Sequence, residues 1–253
     1  MAVSLRVVSL NERIIHYDIV SLPDLLSKMP PLSTDTRPGW YYRGQKMNPD
    51  WTLTPSIYRD FRDTASVTSK DDWLTFEQRL LRRFKSEALP YLSFVPRADL
   101  EWLMVGQHHG LPTRLLDFTK SLLIGLFFAL EDEGAEDRIV WATEALPFGM
   151  PDDVVPLVEL FEDLKGASII FPTHVTPRIT AQKGVFMIAP TPDNRAFVPL
   201  EERRGAAMIR YRIPAEYRGN ILEDLKRAGI DYQTIYPDLA GVVKHIKSQI
   251  GKE

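Results

Sequence analysis

Apolar positions recur along the chain at two spacings, and the spacings predict its elements. From Ser69 onward Trp73, Phe76, Leu80, Leu81 and Phe84 share one face of a helix, which Pro90 ends. "SLPDLLSKM" reads as a short helix with Ser21 as N-cap and Pro23 in its first turn, where a missing N–H costs nothing. "RADLEWLMVGQHHG" reads as another helix, stopped by Gly110. A polar loop follows, after which Thr119 is expected to cap the apolar helix "SLLIGLFFAL". The aromatic run Trp40-Tyr41-Tyr42 predicts a strand, as do "DRIVWATE", "GVFMIAP" and "AAMIRYRIP". The tail predicts two amphipathic helices, "AEYRGNILEDLKRAGI" and "DLAGVVKHIKSQI".

Strands are interspersed with helices without regular alternation, which favours an α+β fold over a doubly wound one. The expectation is small mixed or antiparallel sheets flanked by helices, with one domain over residues 1–253 and no linker dividing it.

The apolar run at 121–130 is half the roughly 20 residues that a membrane span needs. It predicts a buried helix. The opening residues alternate apolar and charged positions and lack a continuous apolar core, so no leader and no membrane partner are expected. There are no cysteines, which excludes disulfides, thiolate metal sites and Cys nucleophiles and fits a cytoplasmic setting. A net charge of -3 means that any nucleic-acid contact must come from a local basic patch.

The motifs of serine hydrolases, P-loop nucleotidases, Rossmann dehydrogenases and zincins are all missing. Nor do the histidines make a metal set: His108 and His109 are adjacent, so on a helix they point about 100° apart. No metal is expected.

What remains is "GQHHGLPTRLLDFT", residues 106–119, which sets Gln107, His108, His109, Thr113, Arg114 and Asp117 between two apolar helices. Loops of this kind often carry function on a rigid scaffold. The same residues also admit a structural account, in which Arg114 pairs with Asp117 and the histidines satisfy helix-end carbonyls.

Together with "YRGQ" at 42–45, this block resembles the FRG domain, a family named for its Phe/Tyr-Arg-Gly motif. "TPSIYR", "PRITAQKGVFMI" and "GIDYQTIYPDLAG" resemble further segments of that family, so the likeness runs over about residues 40–241. Phe118 stands where the family usually has Trp, and Ala240 replaces a common acidic residue. The family is found in bacterial and phage proteins, which implies a toxin–antitoxin or phage-defence context, with an antitoxin or another defence protein as partner.

The family pattern also resembles, distantly, the ADP-ribosyltransferases, which place an Arg on an early strand, a polar residue on a middle strand and a Glu or Gln on a late one. That implies an ADP-ribosyltransferase-like fold with NAD as substrate. The matching trio is Arg43, a residue of the 107–114 block and Gln182, while Gly184 stands where the catalytic Glu would be. The resemblance implies Arg43, His108, Arg114, Asp117 and Gln182 as catalytic candidates. Tyr42, Arg43, Gly44, Gln107, His108, Thr113, Arg114 and Phe118 are the candidates for holding NAD or another phosphate-bearing molecule.

The residue types suit that chemistry. A guanidinium fork fits phosphate oxygens, Gly44 would let a ligand approach the backbone, and an aromatic ring could stack a base. Asp117, or more weakly Glu131, Asp132 or Asp238, would oppose an oxocarbenium-like state. The structural alternative for Arg43 is a buried ion pair with Asp117 or Asp238. A second class of function is nucleic-acid binding, through Arg79, Arg82 and Arg83 of the basic helix with Trp51, Tyr58 and Arg59 nearby. A third is ligand sensing without turnover.

Overall fold

The computed structural model describes residues 14–30, 39–47, 52–64, 66–92, 94–145, 164, 166–172, 177–203 and 207–250. Trp51 lies outside them. Seven strands form one mixed sheet: β1 (Ile14–Asp18), β2 (Gly39–Lys46), β3 (Leu115–Thr119), β4 (Arg138–Ala145), β5 (Ser168–Ile170), β6 (Gly184–Ile188) and β7 (Met208–Ile213). Their order is β1-β7-β4-β2-β3-β6-β5, and only β1 and β7 run parallel. The α+β expectation holds, with one large sheet in place of several small ones.

The α-helices are α1 (Leu22–Ser27), α2 (Ser56–Asp60), α3 (Lys70–Ala88), α4 (Asp99–His108), α5 (Leu122–Leu130), α6 (Pro177–Ala181), α7 (Arg218–Arg227), α8 (Tyr232–Ile235) and α9 (Leu239–Ile250). Ser21 caps α1 through the Asp24 amide, and Ser69 and Asp72 form a reciprocal capping box on α3. Gly110, at φ +85°, ends α4 as a residue without Cβ is suited to do. Among the described residues no helix is long and apolar enough to cross a membrane.

Two sequence expectations change. "LLDFT" is strand β3 and not loop: Leu115, Leu116, Phe118 and Thr119 are buried, and the strand pairs with β6 along its whole length. Thr119 does not cap α5. Ser121 does, accepting from the Ile124 amide, while the Thr119 hydroxyl donates to the Gln182 carbonyl at 2.7 Å.

The register Ala142–Tyr42–Thr119–Gly184 runs across four strands, so these residues share one face of the sheet. On that face α5 packs over β2, β4 and β7, and α4 packs over β3, β5 and β6. On the other face Tyr41, Phe118, Trp141 and Val185 pack with α2 and with Trp73 of α3.

The α5 contact is unusually close. A Cβ on Gly44 would lie 1.9 Å from the Gly125 carbonyl oxygen and 2.4 Å from the Ala129 nitrogen. A Cβ on Gly125 would in turn lie 3.0 Å from the Tyr42 Cβ. The glycine of the Arg-Gly step is therefore where helix backbone meets strand backbone.

Candidate functional site

β2 meets β4 over eight residue pairs and β3 meets β6 over five, yet β2 and β3 share a single pair, Tyr42 with Thr119. Beyond it their ladder does not continue, and a cavity of about 680 Å³ occupies this seam between the ends of α4 and α5. That volume is in the range of small-molecule and cofactor sites. Its walls come from 42–46 of β2, 117–119 of β3 and 184–186 of β6, with Gln107 and His108, Arg178 and Gln182, and Phe128, Glu131 and Asp132 around them.

Arg43 bridges the opening. Its Nη1 donates to the Asp117 carbonyl at 2.7 Å and lies 3.9 Å from the Asp117 carboxylate, while its Nε is buried and has no partner among the described residues. Burial lowers the Arg43 pKa, with Asp117 opposing and the nearby Arg59 adding to the effect. Two guanidinium groups thus sit close enough to repel each other, and a bound anion would relieve that repulsion.

The Asp117 carboxylate accepts from Gln107 Nε2 at 3.1 Å, and the Thr113 hydroxyl donates to Gln107 Oε1 at 2.5 Å. That chain aims Gln107 and Asp117 into the cavity from two elements. His108 is held below the usual imidazole range by burial, by His109 and by Arg178, against which Asp117 acts weakly. It is a neutral hydrogen-bonding group at neutral pH.

At the α5 end, the Glu131 carboxylate accepts from the Tyr236 hydroxyl at 2.7 Å and lies 3.3 Å from Lys244 Nζ. Arg178 stacks on the Tyr236 ring at 4.7 Å and forms no ion pair among the described residues. Burial, with Glu131 beside it, pushes the Tyr236 phenol well above its usual range, so it remains a donor. Lys46 reaches Asp132 at 3.8 Å.

Of the sequence candidates, Tyr42, Arg43, Gly44, Gln107, His108, Asp117, Phe118 and Gln182 line this one cavity. Thr113 and Arg114 do not. Arg114 is fully buried: its guanidinium pairs with Glu77 through Nε at 2.9 Å and through a shorter Nη2 contact, and Nη1 donates to the Ala189 carbonyl and the Thr191 hydroxyl. Its pairing with Asp117, one sequence expectation, is replaced by this core ion pair with α3. The physical reason is β3 itself, which begins one residue later and carries Arg114 into the interior.

Gly44 borders the cavity, but the space where its Cβ would be belongs to α5, so helix packing and not ligand approach accounts for it. Arg79, Arg82 and Arg83 are exposed on α3 and do not line the cavity, and Arg83 is paired with Glu87. Asp238 caps α9, accepting from the Gly241 amide at 2.9 Å. Lys46, Tyr236 and Lys244 carry no expectation from the sequence, and Arg59 carries one only for nucleic acid. Arg59 and Tyr236 lie inside the family-like "TPSIYR" and "YPDLAG" segments, which were the available signal.

The FRG domain model matches residues 38–138, so the chain contains an FRG domain there. The match takes in β2, α4, β3, α5 and the Glu131 and Asp132 corner of the cavity. The wall carrying Arg178, Gln182 and Gly184 lies beyond it. No curated protein and no solved structure matches the chain.

Proposed function

We propose that this FRG-domain protein is an ADP-ribosyltransferase-like enzyme that takes NAD into the β2–β3 seam and acts on nucleic acid or protein in a toxin or defence setting. The observation that carries the reading is Arg43, anchored across the open seam by Asp117 beside a second guanidinium, Arg59. A cluster of planar donors in a cavity of this size suits a diphosphate.

The residues divide the work. Arg43, Arg59 and Arg178 hold phosphate oxygens, Gln107 and His108 hydrogen-bond sugar hydroxyls, and Phe118 or Tyr42 offers an aromatic edge. Gly184 leaves β6 without a carboxylate at the cavity, so Glu131, fixed by Tyr236, steadies positive charge developing on the sugar. Gln182 orients the acceptor.

The missing β6 carboxylate also favours a second reading, a nucleotide-sensing or nucleic-acid-binding module without turnover. Transfer from labelled NAD into separated protein and nucleic-acid fractions tests both. Label with wild type that vanishes in Arg43→Ala and in Glu131→Gln establishes the transferase. Intact NAD, no label and salt-dependent binding lost in Arg82→Ala/Arg83→Ala would instead support the binding module.

A further inference from the structure

The closing segment from α8 to α9 does more than cover the sheet. α9 buries only Gly241, while Leu239, Val242, Val243, Ile246 and Ile250 remain exposed. Gly241 is seated so tightly that a Cβ there would lie 1.8 Å from the Tyr236 carbonyl oxygen. Tyr236 is thus a pivot. Its backbone carries α9, its hydroxyl holds the Glu131 carboxylate inside the cavity, and both Arg178 at 4.7 Å and Lys244 at 4.3 Å lie over its ring. Lys244, on α9, also reaches Glu131 at 3.3 Å but is half exposed, a cheaply broken contact. The Gln182 side chain donates to the Ile235 carbonyl at 3.4 Å, a second link from the cavity wall to α8.

We propose that α9 is a ligand-responsive latch: Tyr236 and Lys244 hold it to Glu131, and a ligand that takes the Glu131 carboxylate releases it. A sugar hydroxyl or cation reaching Glu131 must compete with the Lys244 ammonium for the same oxygens. By linkage, whatever loosens α9 then strengthens binding in the cavity by the same factor. Tyr236 and Lys244 are positioning residues, acting through Glu131. The ligand half of the proposal rests on the nucleotide reading of the cavity; the mechanical half does not.

Hydrogen–deuterium exchange on the full chain tests the two halves separately, with β4 as internal reference. Without ligand, Tyr236→Phe keeps the ring and the Gly241 seat but removes the donor, and is expected to speed exchange of residues 239–250 by about tenfold. Lys244→Met should speed it by up to about fivefold. Unchanged exchange in both variants would overturn the latch. With ADP-ribose as probe at a concentration that protects β2 and β3, wild-type α9 is expected to exchange faster. Slower or unchanged α9 alongside protected β2 and β3 overturns ligand release while leaving the nucleotide reading intact. No protection of β2 and β3 at any concentration overturns the nucleotide reading and ligand release together, and the two variants still decide the mechanical half.

Discussion

Gly44→Ala is the sharpest perturbation the fold offers. The new methyl would lie 1.9 Å from the Gly125 oxygen and 2.4 Å from the Ala129 nitrogen, both main-chain atoms with no rotamer to yield. Ordinary contact begins near 3.4 Å, so α5 or β2 must shift by about 1.5 Å at this point, more than overpacked side chains usually demand of a core. Such overpacking costs about 1–3 kcal/mol when side chains can adjust. With backbone on both sides, a loss of at least about 3 kcal/mol is expected, which for a chain of this size lowers Tm by about 6–12 °C. Thermal and urea unfolding of purified variant and wild type measure it. Gly110→Ala is the control, since nothing lies within 4 Å of its Cβ position and only its φ of +85° opposes the change, at about 1–2 kcal/mol. If Gly44→Ala unfolds within about 0.5 kcal/mol of wild type and loses only ligand binding, the packing account fails and Gly44 serves ligand approach instead.

Other outcomes follow from the same geometry. Glu77→Gln strands the buried Arg114 charge and should cost about 3–5 kcal/mol, whereas Glu77→Leu with Arg114→Met should recover most of that loss in urea unfolding. The His108 imidazole should titrate below its usual 6.5 by NMR, with its midpoint rising in Arg178→Ala and falling further in Asp117→Asn. Because the folded pKa is depressed, the associated stability is full above 6.5 and declines as pH falls through the folded value. Lys183 sits at φ +45° in the turn before β6, so Lys183→Gly should be neutral or stabilise by up to about 1 kcal/mol, while Lys183→Val should destabilise.

Much of the fold was legible because its apolar periodicity is strong. α3, α5 and α7 announce themselves through apolar spacing and runs, and β4, β6 and β7 through β-branched and aromatic runs. β3 did not, because Arg114 and Asp117 give "TRLLDFT" the look of a polar loop. Glu77, 37 residues earlier, neutralises the buried arginine there, and that pairing is tertiary. The Arg-Gly step was half legible: Arg43 does face the cavity, but the reason for Gly44 is α5, a contact no local pattern encodes. Tyr236 and Lys244 were hidden for the same reason, since a tyrosine before Pro-Asp reads as a helix entry until Glu131 is seen beside it.

Capture of a phosphate-bearing nucleotide by Arg43 in the seam between β2 and β3 is the proposal on which the site's function rests. Calorimetric titration of NAD into wild type, Arg43→Ala and the α3 variant Arg82→Ala tests it most directly. Binding is expected from wild type and Arg82→Ala, with at least about tenfold weaker binding by Arg43→Ala, as loss of a charge-assisted contact requires. Equal affinity in wild type and Arg43→Ala, or no heat of binding in wild type, would contradict it.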